Sequence, residues 1–148
     1  MAHIETLYTL IKDIFFLLDD GDQQLFSRYD LTGSRYYILY HLGDQPGLSV
    51  SQLSSIMFCD KSNITRLVRA MEEEGLVSRQ PHESDGRSLR LFLTDQGAAL
   101  RAEVSSAHLR LNQERFGRGL PEIDQGDLLS CLQQLKVSLE RDLGHTVV

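Results

Sequence analysis

At 148 residues, 41% hydrophobic and 24% charged, the chain has the size and composition of one globular domain and too many apolar residues for a disordered one. No apolar run approaches the roughly 18 residues that a bilayer crossing needs, because Asp13 and Asp19-Asp20 interrupt the longest candidate, and no basic region opens a secretory signal. Cys59 and Cys131 stand far apart in helix-like sequence, which suits a reducing cytoplasm, and the net charge of −6 argues against indiscriminate coating of nucleic acid.

Residues 4–18 place Leu7, Ile11, Ile14 and Leu18 at helical spacing, with Leu10, Phe15 and Leu17 widening the apolar face. This helix is expected to continue through Phe26 towards Tyr29. A second follows Leu31-Thr32, with Thr32 as cap and Tyr36, Leu39, Tyr40 and Leu42 as bulk, and the run from Gly43 to Gly47 breaks it. Ser49 and Gln52 have capping-box spacing and open a short helix with Leu53, Ile56 and Met57 inside. Asp60 is expected to cap the next helix, whose inner face is Ile64, Leu67, Val68 and Met71, and Gly75 to end it. Two short capped helices so close together outline a helix-turn-helix.

After Gly75 the period changes to two. Leu76–Arg79 and Leu89–Leu93 read as strands joined across Asp85-Gly86, a hairpin that makes a wing. Thr94 then caps a long helix carrying Leu100, Val104, Ala107 and Leu111. Gly117, Gly119 and Pro121 break the chain before a last helix with Leu128, Leu132, Leu135 and Leu139 on one stripe, beside which Cys131 is expected to pack. The fold class is therefore mainly α with a small β-hairpin wing. The winged helix-turn-helix occupies 31–94, and the helical regions 1–30 and 95–148 are too apolar on one face for so small a domain, which points to a homodimer.

The charge divides usefully along the chain. Residues 1–59 carry −4 and residues 95–148 carry −2, whereas residues 60–94 balance at zero. The acidity thus lies outside the segment expected to meet DNA. A major-groove helix needs short polar side chains near its start and a longer basic group a turn later. Ser62 and Asn63 lie one turn before Arg66, with Lys61, Thr65 and Arg69 around them. Ser51 and Gln52 suit phosphates at the start of the preceding helix. Arg87 follows the hairpin turn and suits the minor groove, and Asp85 suits orienting it. A solvated polar face is the competing reading of each residue alone; their combination with a hairpin favours DNA.

On these residues the chain resembles the multiple-antibiotic-resistance regulator (MarR) family. The matching run begins at Leu31-Thr32 and takes in Ser51-Gln52-Leu53 and Asn63-Ile64-Thr65-Arg66-Leu67-Val68. It continues through Glu74-Gly75-Leu76-Val77 and Ser84-Asp85-Gly86-Arg87-Ser88 to Leu91-Phe92-Leu93-Thr94-Asp95-Gln96-Gly97. The Asp-x-Arg tip followed by Leu-Thr-x-x-Gly is the most specific part. The resemblance implies one domain over 1–148 that dimerises through its terminal helices and binds a pseudo-palindromic duplex operator. It also implies a repressor of neighbouring genes, released by a small phenolic or aromatic effector or by cysteine oxidation. The chain departs from the pattern at Arg35, where Gln is frequent, at Ser88, where a second Arg is frequent, and in lacking a cysteine in its first helix.

The family's ligand crevice borders the second helix, so Tyr36, Tyr40 and His41 are the candidate effector residues, with core packing as the simpler alternative. Cys59 stands near a helix start, where a thiol can be activated, and an inert packed thiol is the simpler reading. His3, His41, His82, His108 and His145 lack metal-ligand spacing, and no cofactor is expected. An enzyme has no triad or phosphate-cradling loop to support it. A winged helix serving protein–protein contact is the remaining rival, favoured by acidity and opposed by the Ser62-Asn63-Arg66 face.

Overall fold

The computed structural model describes residues 2–81, 84, 88–120 and 125–144. Six helices and one hairpin follow in order: α1 (Ala2–Ser27), α2 (Gly33–Asp44), α3 (Val50–Met57), α4 (Lys61–Glu73), β1 (Val77–Pro81), β2 (Leu89–Leu93), α5 (Asp95–Gly119) and α6 (Gln125–Asp142). The strands pair antiparallel with Val77 opposite Leu93 and Pro81 opposite Leu89. The chain divides into two compact units, Met1–Leu109 and Arg110–Val148. Among the described residues no helix is long and apolar enough to cross a membrane.

The first unit holds one core. Ile64, Leu67, Val68 and Met71 turn inward from α4 at the expected 3.6-residue spacing and meet Leu53 of α3, Ile38, Leu39 and Leu42 of α2, and Leu91 of β2. Phe26, at the end of α1, stacks on Tyr36 with ring centroids 4.2 Å apart, so the last turn of α1 is tied into this core. Burial of these side chains is the main drive for the fold.

Local chemistry sets the element ends. Thr32 accepts a hydrogen bond from the Arg35 amide at the start of α2. Ser49 and Gln52 form the reciprocal capping box at α3, at 2.8 and 3.1 Å. Gly75 follows α4 at φ +78°, where a side chain would be strained. Thr94 accepts from the Gly97 amide at 3.0 Å and donates to the Gly75 carbonyl, joining the start of α5 to the end of α4. Gly97 is needed for another reason: a Cβ there would lie 2.0 Å from the Leu76 carbonyl oxygen.

Several expectations are corrected. Asp60 stands at the N-cap of α4, but its side chain makes no capping bond. Leu76 precedes β1; its amide instead bonds Met71 as α4 closes. Tyr40 is exposed and Ile38 takes the core position, because Tyr40 lies a turn beyond Tyr36, at the edge of the buried face. Gly43 lies within α2 and Gly117 within α5, since a single glycine costs a helix only about 1 kcal/mol. Pro121 falls outside the described residues.

The second unit contains the end of α5 and all of α6. No residue of α6 is buried, and Leu132, Leu135 and Leu139 are each about half exposed. Cys131 is likewise exposed, contrary to the packing expected, because the stripe beside it is itself uncovered within one chain. Lys136 pairs with Glu140 at 2.7 Å along the same helix.

Candidate functional site

Because α4 buries Ile64, Leu67, Val68 and Met71, its opposite side must face outward. Lys61, Ser62, Thr65, Arg66 and Arg69 are exposed there and Asn63 is half-buried. Asn63 and Arg66 are three residues apart and therefore neighbours, and the Arg66 guanidinium donates to the Asn63 side-chain oxygen at 2.8 Å. That contact holds the arginine along the helix surface beside Ser62. The outward face thus presents hydroxyls, an amide and guanidinium groups, all able to meet the hydrogen-bonding edges of bases or phosphates.

Ser51 and Gln52 are exposed at the first turn of α3. Gln52 uses its side-chain oxygen in the capping box, so its amide N–H groups are what it can offer an anion. Asp85 and Arg87, the expected wing-tip pair, lie outside the described residues.

The turn between α3 and α4 has an unusual build. Phe58 adopts φ 52°, a left-handed conformation that favours glycine, and the residue is 70% exposed. Its amide bonds back to α3, and the Ser54 hydroxyl donates to the Cys59 carbonyl across the turn. Cys59 is half-buried and its thiol donates to the Met57 carbonyl at 3.3 Å.

A cleft of about 570 Å³ opens beside this turn. Asp19 and Gln23 line it from α1, and Ser34, Tyr37 and His41 from α2. Met57 closes it from the end of α3 and Cys59 from the turn that follows. Of the three expected effector residues, the structure brings only His41 to this cleft. Tyr36 is in the core, its hydroxyl 3.2 Å from that of Ser105, and desolvation by burial raises its pKa above the usual tyrosine value. Tyr40 lies under the Arg101 guanidinium, 5.4 Å from its ring centre. Tyr36 and Tyr40 share one helical face; Tyr37 and His41 share another, with rings 6.4 Å apart, and that second face is the one the cleft uses. Burial also pushes the His41 pKa below the ordinary 6.5, against a smaller raising effect of Asp44, which favours the neutral ring.

Sequence reasoning missed the charged ties that carry this site. Arg35 pairs with Glu74 and so joins the start of α2 to the end of α4. Arg79 pairs with Glu72 at 2.9 Å, bracing β1 against α4. Arg101 pairs with Asp44 at 2.6 Å and donates to the Tyr40 carbonyl, joining α5 to α2. His108 of α5 meets Asp22 of α1 at 3.0 Å. The partners are 7 to 86 residues apart in sequence, and no local pattern marks them.

A model of the MarR family matches residues 29–88. A regulatory protein assigned to the hcr operon of Thauera aromatica is 32% identical over 105 residues, or 71% of this chain and 63% of that relative. The chain therefore spans less than two thirds of that relative's length. The structure of AbsC, a MarR family transcriptional regulator from Streptomyces coelicolor, matches with a TM-score of 0.82 and 25% identity, covering 95% of this chain and 94% of AbsC. A mutant MarR from E. coli, solved in complex with operator DNA, matches with a TM-score of 0.74 over 93% of this chain and 96% of that one; at 21% identity it speaks for the fold alone. The proteins matched are transcriptional regulators, the class to which the outward face of α4 had pointed.

Proposed function

We propose that this chain, which belongs to the MarR family, is a sequence-specific DNA-binding repressor acting as a homodimer. The observation that carries the reading is the outward face of α4, where Arg66 and Asn63 are joined at 2.8 Å beside the exposed Ser62 and Thr65. An arginine can pair with both guanine acceptors and an asparagine with the adenine edge, each good pair contributing about 1–3 kcal/mol of discrimination. A protein of the same fold was solved with operator DNA, which supports DNA as the partner.

In this reading region 31–94 meets DNA, Ser51 and Gln52 hold phosphates, and Lys61 and Arg69 add electrostatic grip. Arg87 enters the minor groove, with Asp85 orienting it. Regions 1–30 and 95–148 pair two copies, so that two α4 helices meet two half-sites of a pseudo-palindrome about one helical turn apart. The bare apolar side chains of α1 and α6 support that pairing. A small aromatic effector entering the cleft between α1, α2 and α3 would press on the turn that leads into α4 and release the DNA. The genes controlled would be its neighbours, and the setting cytoplasmic.

Selection from random duplex DNA tests the reading. Enrichment of a palindrome with two half-sites is the expected result, and failure to enrich any sequence at low salt would overturn it.

A further inference from the structure

Charge in the cleft beside the α3–α4 turn limits what it can hold. Among the described residues that line it there is no Lys or Arg, and Asp19 supplies a carboxylate. The Gln23 side-chain amide donates to that carboxylate at 2.7 Å, so the anion is oriented before any ligand arrives. An aromatic acid entering here would find no counter-charge and would be repelled by Asp19.

We propose that the cleft takes an aromatic amine, cationic at neutral pH, and discriminates against aromatic acids of the same shape. The ammonium group faces Asp19. The ring lies against the Tyr37 and His41 side chains, whose 6.4 Å spacing on one helical face forms an aromatic wall, with Met57 as a polarisable floor. The Ser34 hydroxyl is a further acceptor for an N–H donor. His41 offers an anion little counter-charge, because burial favours its neutral ring. At about 570 Å³ the cleft is within the usual range for small organic ligands. The surrounding sequence adds to the bias, since residues 1–59 carry a net charge of −4, a field that draws cations. The inference rests on the effector reading only for its consequence, the release of DNA; the binding preference stands by itself.

Two probes of nearly equal shape decide it: tryptamine, a cation, and indole-3-propionate, an anion. The chain contains no tryptophan, so indole fluorescence and anisotropy report the probe alone. The wild-type protein should bind tryptamine up to about tenfold more tightly than the propionate at low salt, the sum of one attraction and one repulsion at an exposed charge. Asp19→Asn should reduce that ratio to about threefold or less, by weakening tryptamine and strengthening the propionate. Equal or tighter binding of the propionate, saturable binding of neither probe, or an unchanged ratio in Asp19→Asn would each overturn the proposal. Adding tryptamine to the DNA complex separates the two claims. Binding without release leaves the ligand class standing and overturns the effector reading. Release by the propionate alone does the reverse.

Discussion

The two ends of α1 meet opposite fates. Phe26 is completely buried and stacked on Tyr36, whereas Leu7, Ile14 and Phe15, equally apolar, remain more than half exposed. The difference is one of available partners. Near Phe26 the helix runs against α2, and Asp22 bonds His108 of α5; earlier in α1 the described chain offers nothing to cover the stripe. The same helical period therefore marks two kinds of surface, one satisfied within the chain and one left bare by it, which the proposed pairing of two copies would cover.

The contrast predicts different responses to the same kind of truncation. Leu39→Ala, in the core, should cost about 2–5 kcal/mol of stability at every protein concentration, read by urea denaturation. Leu7→Ser should leave the core intact, yet lower stability increasingly as the protein is diluted, because its effect passes through self-association. If the loss from Leu7→Ser does not depend on concentration, α1 is not an interface. Gly97→Ala comes next, at about 1–3 kcal/mol, since the added methyl would press on the Leu76 carbonyl rather than on a movable side chain. Thr94→Ala should cost about 1 kcal/mol by removing the cap that joins α4 to α5.

The smallest effect is a pH dependence. His41 has a folded-state pKa below 6.5, so the unfolded chain takes up a proton at a higher pH than the folded one. Stability therefore rises with pH between the folded value and 6.5, and the penalty is absent above 6.5. His41→Gln should flatten that part of the stability profile, as read from denaturation midpoints across the range, and an unchanged slope would assign it to another group.

What the sequence made legible was whatever closes over short spans. The Ser49–Gln52 box, the inner face of α4 and the Gly75 terminus each depend on residues within about two turns of one another, and each stands in the structure. What it hid were the long-range ties. Nothing near Arg35 announces Glu74, and nothing near Gly97 announces the Leu76 carbonyl. The effector residues show an intermediate case. The run of aromatic residues marked α2, and the choice of Tyr36, Tyr40 and His41 rested on the family resemblance. Of these His41 lines the cleft, with Tyr37 beside it, while Tyr36 and Tyr40 lie on the face that meets the core and α5. Which face is covered depends on neighbouring elements, and a sequence pattern on one helix does not carry that.

The central claim is that the outward face of α4 reads bases, and the base preference of Arg66→Ala tests it most directly. Measured against a set of single-base variants of the selected operator, Arg66→Ala should lose discrimination at one position in each half-site, by about 1–3 kcal/mol, while retaining it elsewhere. An equal loss of affinity on all the variants would show that Arg66 contacts only the phosphate backbone and would contradict the account.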